Sequence, residues 1–110
     1  MDITVKEVDQ VSVILFEGNL DTSTAPQAQE QIDQIIDGGS TKILINFESL
    51  NYISSAGLRV LLFTAKKLKA QSGEIKICGL NDTVQEVFDI SGFSSILSVA
   101  STEEEALGSF

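Results

Sequence analysis

Apolar residues change their spacing repeatedly along this 110-residue chain, and that alternation constrains the fold more than any other feature. Residues 2–9 and 11–17 are rich in β-forming residues and are separated by a very short link, which predicts an antiparallel hairpin. Further strands are predicted at residues 42–47 and 74–78, and a short edge strand is expected around residues 96–99.

Segments with helical spacing separate these strands. A dense loop signal at residues 18–24 precedes the first helix, where Thr24 and Gln27 fit a capping box. A second predicted loop at residues 48–53 leads into the second helix, and Thr102 opens a short final one. The apolar positions at helical spacing are Ala25, Ala28, Ile32, Ile35 and Ile36 in the first helix, Leu58, Leu61, Leu62, Ala65 and Leu68 in the second, and Val84, Val87 and Phe88 in the third.

The element order is therefore β-β-α-β-α-β-α-(β)-α. Alternating strands and helices imply parallel pairing with right-handed crossovers, next to one antiparallel hairpin. We predict an α/β fold with a small mixed, mostly parallel sheet of four to five strands and helices mainly on one face. The length suits a single domain over residues 1–110.

The composition argues against several functions. Sixteen acidic and seven basic residues give a net charge of -9, which disfavours direct nucleic-acid binding and attachment to anionic membranes. The chain has no histidine and a single cysteine, which excludes imidazole catalysis, imidazole metal ligands, an internal disulfide and a cysteine-rich zinc site. No metal, cofactor or enzymatic activity is expected. No membrane-length apolar run or signal peptide is apparent, and the expected location is cytoplasmic.

The most informative segment is the turn before the second helix. Ser54 and Ser55 stand at the predicted helix start and are followed by the small residues Ala56 and Gly57. A helix N-terminus presents unpaired N–H groups and accommodates a phosphate, so a serine there can be phosphorylated without unfolding the domain. The alternative interpretation is that either serine is simply an N-cap.

A second candidate segment is the loop that carries Asp21, Ser23 and Thr24. In a parallel sheet this loop can lie beside the serine turn, which would place a carboxylate near the serines. The alternative is a plain turn with a helix cap. Basic residues cluster on the second helix, from Arg59 to Lys69, either as a solvated face or as a contact for an acidic partner.

Residues 43–62 (ILINFESLNYISSAGLRVLL) resemble the signature of STAS domains, and more narrowly that of bacterial anti-sigma factor antagonists. Residues 17–21 (EGNLD) resemble the strand–loop segment of the same family, and the resemblance extends from about Ile3 to Leu107. It implies a small mixed sheet backed by helices on one side, in agreement with the predicted order.

The resemblance also implies a function, a partner switch controlled by phosphorylation. The unphosphorylated protein would bind an anti-sigma factor that is also a serine kinase, and phosphorylation would release it until a PP2C-type phosphatase restores the protein. The phosphoacceptor maps to Ser55, with Ser54 as a rival because it replaces a frequent aspartate. The residues implied to contact the partner are Asp21, Ser23, Thr24, Ser54, Ala56, Gly57 and Arg59.

Two other functions remain open at this point. The chain could be a STAS scaffold that binds partners in a signalling complex without being phosphorylated. It could also be a small enzyme or nucleotide-binding protein, but no nucleophile–base pair and no phosphate-cradling glycine motif supports that interpretation. The sequence leaves open which sigma factor or other output is controlled and what the oligomeric state is.

Overall fold

The computed structural model describes residues 1–110 and shows one five-stranded sheet with helices on both faces. The strands are β1 (Asp2–Val8), β2 (Val11–Leu20), β3 (Lys42–Ile53), β4 (Glu74–Cys78) and β5 (Ser98–Ala100). The helices are α1 (Ala25–Asp37), α2 (Ser55–Ala70), α3 (Asp82–Ser91) and α4 (Glu103–Leu107), with a 3-10 turn at Phe93–Ser95. The predicted fold class and element order are confirmed.

The strands lie in the order β1-β2-β3-β4-β5, and only the β1–β2 pair is antiparallel. The hairpin turn consists of Asp9 and Gln10, which both have positive φ angles of 50° and 69°. Two such residues make the tight turn whose twist matches that of the flanking strands. The parallel β2–β3 and β3–β4 pairs bring the carboxyl ends of the central strands to one edge of the sheet.

The main core lies between the sheet and helices α1, α2 and α3. Twenty buried residues form it, including Phe16 and Phe47, whose ring centroids are 5.6 Å apart. Ile32 of α1 and Leu61 of α2 are fully buried against this side, so the apolar stripes predicted from helical spacing face the sheet. Each such side chain contributes about 1.5–3 kcal/mol relative to an exposed position.

The opposite face of the sheet is covered by α4 alone. Ala106 packs there in a small cluster with Val13, Leu44 and Cys78. Burial, reinforced by nearby carboxylates, raises the pKa of the Cys78 thiol to about 11. Cys78 is thus a small buried residue that packs like an apolar side chain.

Both central strands are longer than predicted. The loop predicted at residues 18–24 begins too early, because β2 runs to Leu20. The loop predicted at residues 48–53 is wrong, because the whole segment belongs to β3, which pairs with β2 up to Leu20 and Ile53. Two register shifts interrupt this pairing, one between Leu15 and Glu17 and one between Gly18 and Asn19. Such irregularities break the two-residue alternation that identifies a strand in a sequence.

Candidate functional site

The loop after β2 and the start of α2 are in direct contact at the carboxyl edge of the sheet. The Ser54 N–H donates to the Leu20 carbonyl oxygen at 2.9 Å. Gly57 has no room for a side chain, since an added Cβ would lie 2.8 Å from the Leu20 carbonyl oxygen and 2.7 Å from Ile53. The prediction that these two segments lie side by side is confirmed.

Asp21 organises the first segment. Its carboxylate oxygen Oδ1 accepts hydrogen bonds from the Ser23 hydroxyl at 2.7 Å, from the Ser23 N–H at 2.9 Å and from the Thr24 N–H at 3.2 Å. These bonds favour the charged form and lower the pKa of Asp21, with the Ser23 hydroxyl as the largest cause. The site therefore carries a fixed negative charge at neutral pH.

Thr24 ties the same turn to the end of β2. Its hydroxyl donates to the Asn19 carbonyl oxygen at 2.8 Å and accepts from the Asp21 N–H at 2.9 Å. The predicted capping box is wrong, since Thr24 precedes α1 but makes no side-chain cap bond to it. The hydroxyl is used instead to hold the loop, and the helix starts with Pro26 in its first turn, where a missing N–H costs nothing.

Ser54 and Ser55 have different surroundings. Ser54 is extended and half-buried, and its hydroxyl caps α2 by accepting from the Gly57 N–H at 3.4 Å. Ser55 is the first residue of α2, is exposed, and makes no side-chain hydrogen bond. The N-cap interpretation holds for Ser54, whereas the Ser55 hydroxyl is free.

The remaining predicted contact residues flank this serine. Ala56 is half-buried against the main core, and Arg59 is exposed one turn further along α2 without an ion-pair partner. No group of three or more histidine, cysteine, aspartate or glutamate side chains is placed to hold a metal ion, and no helix is long and apolar enough to cross a membrane. The structure brings Asp21, Ser23, Thr24, Ser54, Ala56, Gly57 and Arg59 to the same edge of the molecule.

Residues 2–106 match the STAS domain family. The chain belongs to this family. Among its relatives, BtrV of Bordetella bronchiseptica, named as a candidate anti-sigma factor antagonist, is 37% identical over 110 residues, which is 100% of this STAS chain and 95% of that protein. The family resemblance of the sequence is thereby confirmed.

Two solved structures show the same STAS fold. That of tm1081 from Thermotoga maritima, also named as a candidate anti-sigma factor antagonist, has a TM-score of 0.93 at 21% identity and covers 97% of this chain and 92% of that one. The phosphorylated form of SpoIIAA from Bacillus has a TM-score of 0.75 at 30% identity and covers 97% of both chains.

One part of this STAS surface was missed from the sequence. Phe63 is 55% exposed, and it lines a groove between α1 and α2 together with Pro26 and Arg59. The sequence does contain a signal for this surface. Phe63 lies outside the apolar stripe of α2 and four residues after Arg59, so both side chains lie on the same outward side of the helix.

Proposed function

We propose that this STAS domain, an anti-sigma factor antagonist by homology, is a partner switch controlled by phosphorylation of Ser55. The unphosphorylated form binds an anti-sigma factor that is also a serine kinase, and the phosphorylated form releases it. The observation that carries this proposal is the contrast between the two serines: Ser54 is used as the helix cap, whereas Ser55 offers a free, exposed hydroxyl beside the Asp21 loop.

The covalent step is an ordinary phosphoryl transfer. The Ser55 oxygen forms a bond to the γ-phosphorus of ATP, the bond from that phosphorus to the bridging oxygen breaks, and ADP leaves. The hydroxyl proton passes to a base of the kinase or to water. A PP2C-type phosphatase reverses the step by hydrolysis, in which water supplies the new oxygen and inorganic phosphate leaves.

The position of Ser55 suits such a modification. A phosphate at the first residue of α2 lies against unpaired backbone N–H groups and the positive end of the helix dipole, so the fold tolerates it. The related SpoIIAA has been solved in both unphosphorylated and phosphorylated forms, which supports the same interpretation.

The negative charge of the phosphate explains why the phosphorylated form releases the kinase. Phosphorylation adds about -1.5 to -2 charges beside the ionised Asp21 and within the surface that the partner would cover. Repulsion from partner carboxylates and the cost of desolvating the phosphate both oppose binding. A tenfold loss of affinity requires only about 1.4 kcal/mol. Because the partner acts on transcription, we place this switch in the cytoplasm.

The deciding experiment incubates the chain with ATP and a serine kinase encoded close to its gene, followed by intact-mass and fragment analysis. We expect one phosphate on Ser55, none on a Ser55→Ala variant, and continued modification of a Ser54→Ala variant. Binding to the kinase should weaken at least about tenfold after modification.

Other results would change the conclusion. Phosphate on Ser54 would contradict the assignment of the acceptor. Retained binding to the kinase with no phosphorylation would favour a constitutive STAS scaffold, the alternative function. Unchanged regulation in cells that carry Ser55→Ala would favour the same alternative, whereas permanent partner binding supports the switch.

A further inference from the structure

An apolar groove with one free cation adjoins the start of α2. It has a volume of ≈ 290 Å³, and its walls come from the first turns of α1 and from the outward side of α2. Ala56, the residue after Ser55, lines it, so the groove is continuous with the proposed phosphorylation site. Its apolar lining includes Pro26 of α1 and Phe63 of α2.

Two exposed side chains, Arg59 and Phe63, lie one turn apart on the wall formed by α2. Phe63 is 55% exposed, which is unusual for a large aromatic side chain that could have been placed in the core. Arg59 has no ion-pair partner, in contrast to Lys67 on the same helix, whose Nζ contacts Asp37 Oδ1 at 2.9 Å and Asp33 Oδ1 at 3.6 Å. Arg59 is therefore an uncommitted cation on a chain of net charge -9.

Gln29 of α1 lines the opposite wall and donates through Nε2 to Asp33 Oδ1 at 3.0 Å. Its carbonyl oxygen Oε1 has no exposed surface, so the charged group that the groove offers to a bound segment is the Arg59 guanidinium. An apolar lining next to a free cation suits a polypeptide segment that carries apolar and acidic side chains.

We propose that the groove receives an acidic, apolar segment of the kinase partner, with an apolar side chain against Phe63 and a carboxylate on Arg59. We further propose that phosphorylation of Ser55 draws Arg59 away from that carboxylate. Both statements rest on the proposed function, since they name the partner chemistry and the regulation of the same site.

The second statement follows from helix geometry. Ser55 and Arg59 are four residues apart on α2, so their Cβ atoms lie about 5–6 Å apart on one side of the helix. Guanidinium groups bind phosphate in a planar, two-bond arrangement that is stronger than a neutral hydrogen bond. The phosphate on Ser55 thus gains Arg59 as a counterion, and the carboxylate of the partner loses its contact with Arg59.

The first test needs no partner. Phosphoserine is inserted at position 55 during translation, and the phosphate is titrated by ³¹P NMR in the parent chain, in Arg59→Gln and in the control Lys66→Gln. Lys66 is also an exposed cation of α2 without an ion pair, but it does not line the groove. If Arg59 binds the phosphate, the titration moves up by about half a pH unit in Arg59→Gln and stays at the parent value in Lys66→Gln.

The second test measures affinity for the kinase that phosphorylates Ser55, in the absence of ATP, by titration calorimetry. We expect Arg59→Gln and Phe63→Ala each to weaken binding about tenfold. Lys66→Gln and Ile96→Ala serve as matched controls and should bind like the parent chain, since Ile96 is 62% exposed and lies outside the groove. Equal urea midpoints would show that all variants fold.

The two proposals fail in different ways. If Arg59→Gln and Phe63→Ala bind normally while phosphorylation of Ser55 still releases the kinase, the groove is not the docking surface but the switch stands. If the ³¹P titration is the same with and without Arg59, the capture of Arg59 by the phosphate is excluded. If Ser55 is never phosphorylated, the proposed function fails before the groove is considered.

Discussion

At the residue scale, Gly57 is the position in the candidate site where α2 packs most tightly against the end of β2. An added Cβ would lie 2.8 Å from the Leu20 carbonyl oxygen, an atom that is itself fixed by the Ser54 N–H. We expect Gly57→Ala to destabilise the fold by about 1–2 kcal/mol, because overpacking outweighs the gain in helix propensity. Urea unfolding measures this difference.

Gly108→Ala is the matched control for that substitution. Gly108 has an ordinary φ angle of -71°, and its added Cβ would meet nothing closer than 3.6 Å. Its free energy of unfolding should stay within about 0.5 kcal/mol of the parent value. An equally small effect at Gly57 would show that the end of β2 and the start of α2 can move apart without loss of stability.

Ser54 and Ser55 are adjacent residues with different roles in stability. Ser54→Ala removes the cap of α2 and should cost about 0.5–1 kcal/mol, whereas Ser54→Asp keeps a capping oxygen and should cost less. Ser55→Ala should leave the free energy of unfolding unchanged, because the Ser55 hydroxyl makes no hydrogen bond. Thermal unfolding of the three variants decides this, and a loss of stability in Ser55→Ala would argue against a free hydroxyl.

At the element scale, α4 is tied to the sheet by two hydrogen bonds of Glu103. Glu103 Oε2 accepts from Lys6 Nζ at 2.8 Å, and Glu103 Oε1 accepts from Asn46 Nδ2 at 3.1 Å. These contacts, led by that with Lys6, lower the pKa of Glu103 below its ordinary value of 4.5. The charged form of Glu103 is thus favoured in the folded state.

We therefore expect Glu103→Gln to destabilise the fold at pH 7 by less than about 1 kcal/mol, since the contact is partly exposed. A lowered pKa contributes stability above pH 4.5, and that contribution is lost as the pH falls through the folded-state pKa. The difference between parent and variant should consequently shrink in urea unfolding at pH 3. Glu104→Gln removes a charge from the same helix without removing an ion pair, so its destabilisation at pH 7 should be smaller than that of Glu103→Gln.

The extended part of β3 shows why elements were only partly predictable. Of residues 48–53, only Leu50 and Ile53 are buried, and they lie three positions apart. The pairing of this part of β3 with β2 is interrupted by two register shifts. Neither helical nor strand periodicity describes such a segment, so it reads as a loop from sequence. Its partner strand supplies the hydrogen bonds that make it a strand, and this partner is distant in the chain.

At the scale of the whole molecule, the two cores share the central strand. Ile43 and Ile45 belong to the main core, and Leu44 between them belongs to the smaller cluster with Cys78. Because neither core can lose β3 without disturbing the other, we propose that residues 1–110 unfold as one cooperative unit.

Cys78 makes this proposal measurable. Its thiol is buried and has a pKa of about 11, so it should react with a thiol reagent at pH 8 only when the fold opens. The urea dependence of Cys78 labelling should then coincide with that of far-UV circular dichroism, which is dominated by the helices. Labelling at clearly lower urea would show that α4 and its face open separately.

The sequence by itself determined the element order, the mixed sheet and the faces of the helices, because apolar periodicity reports which side chains leave water. It also determined the region of the site, since small and hydroxyl residues mark helix starts and turns. Only the tertiary structure showed that Ser54 caps α2 while the Ser55 hydroxyl makes no hydrogen bond, showed the use of the Thr24 hydroxyl by the loop, and formed the groove of Phe63 and Arg59. These features depend on contacts between segments that are distant in the chain, and such contacts leave no regular spacing in the sequence.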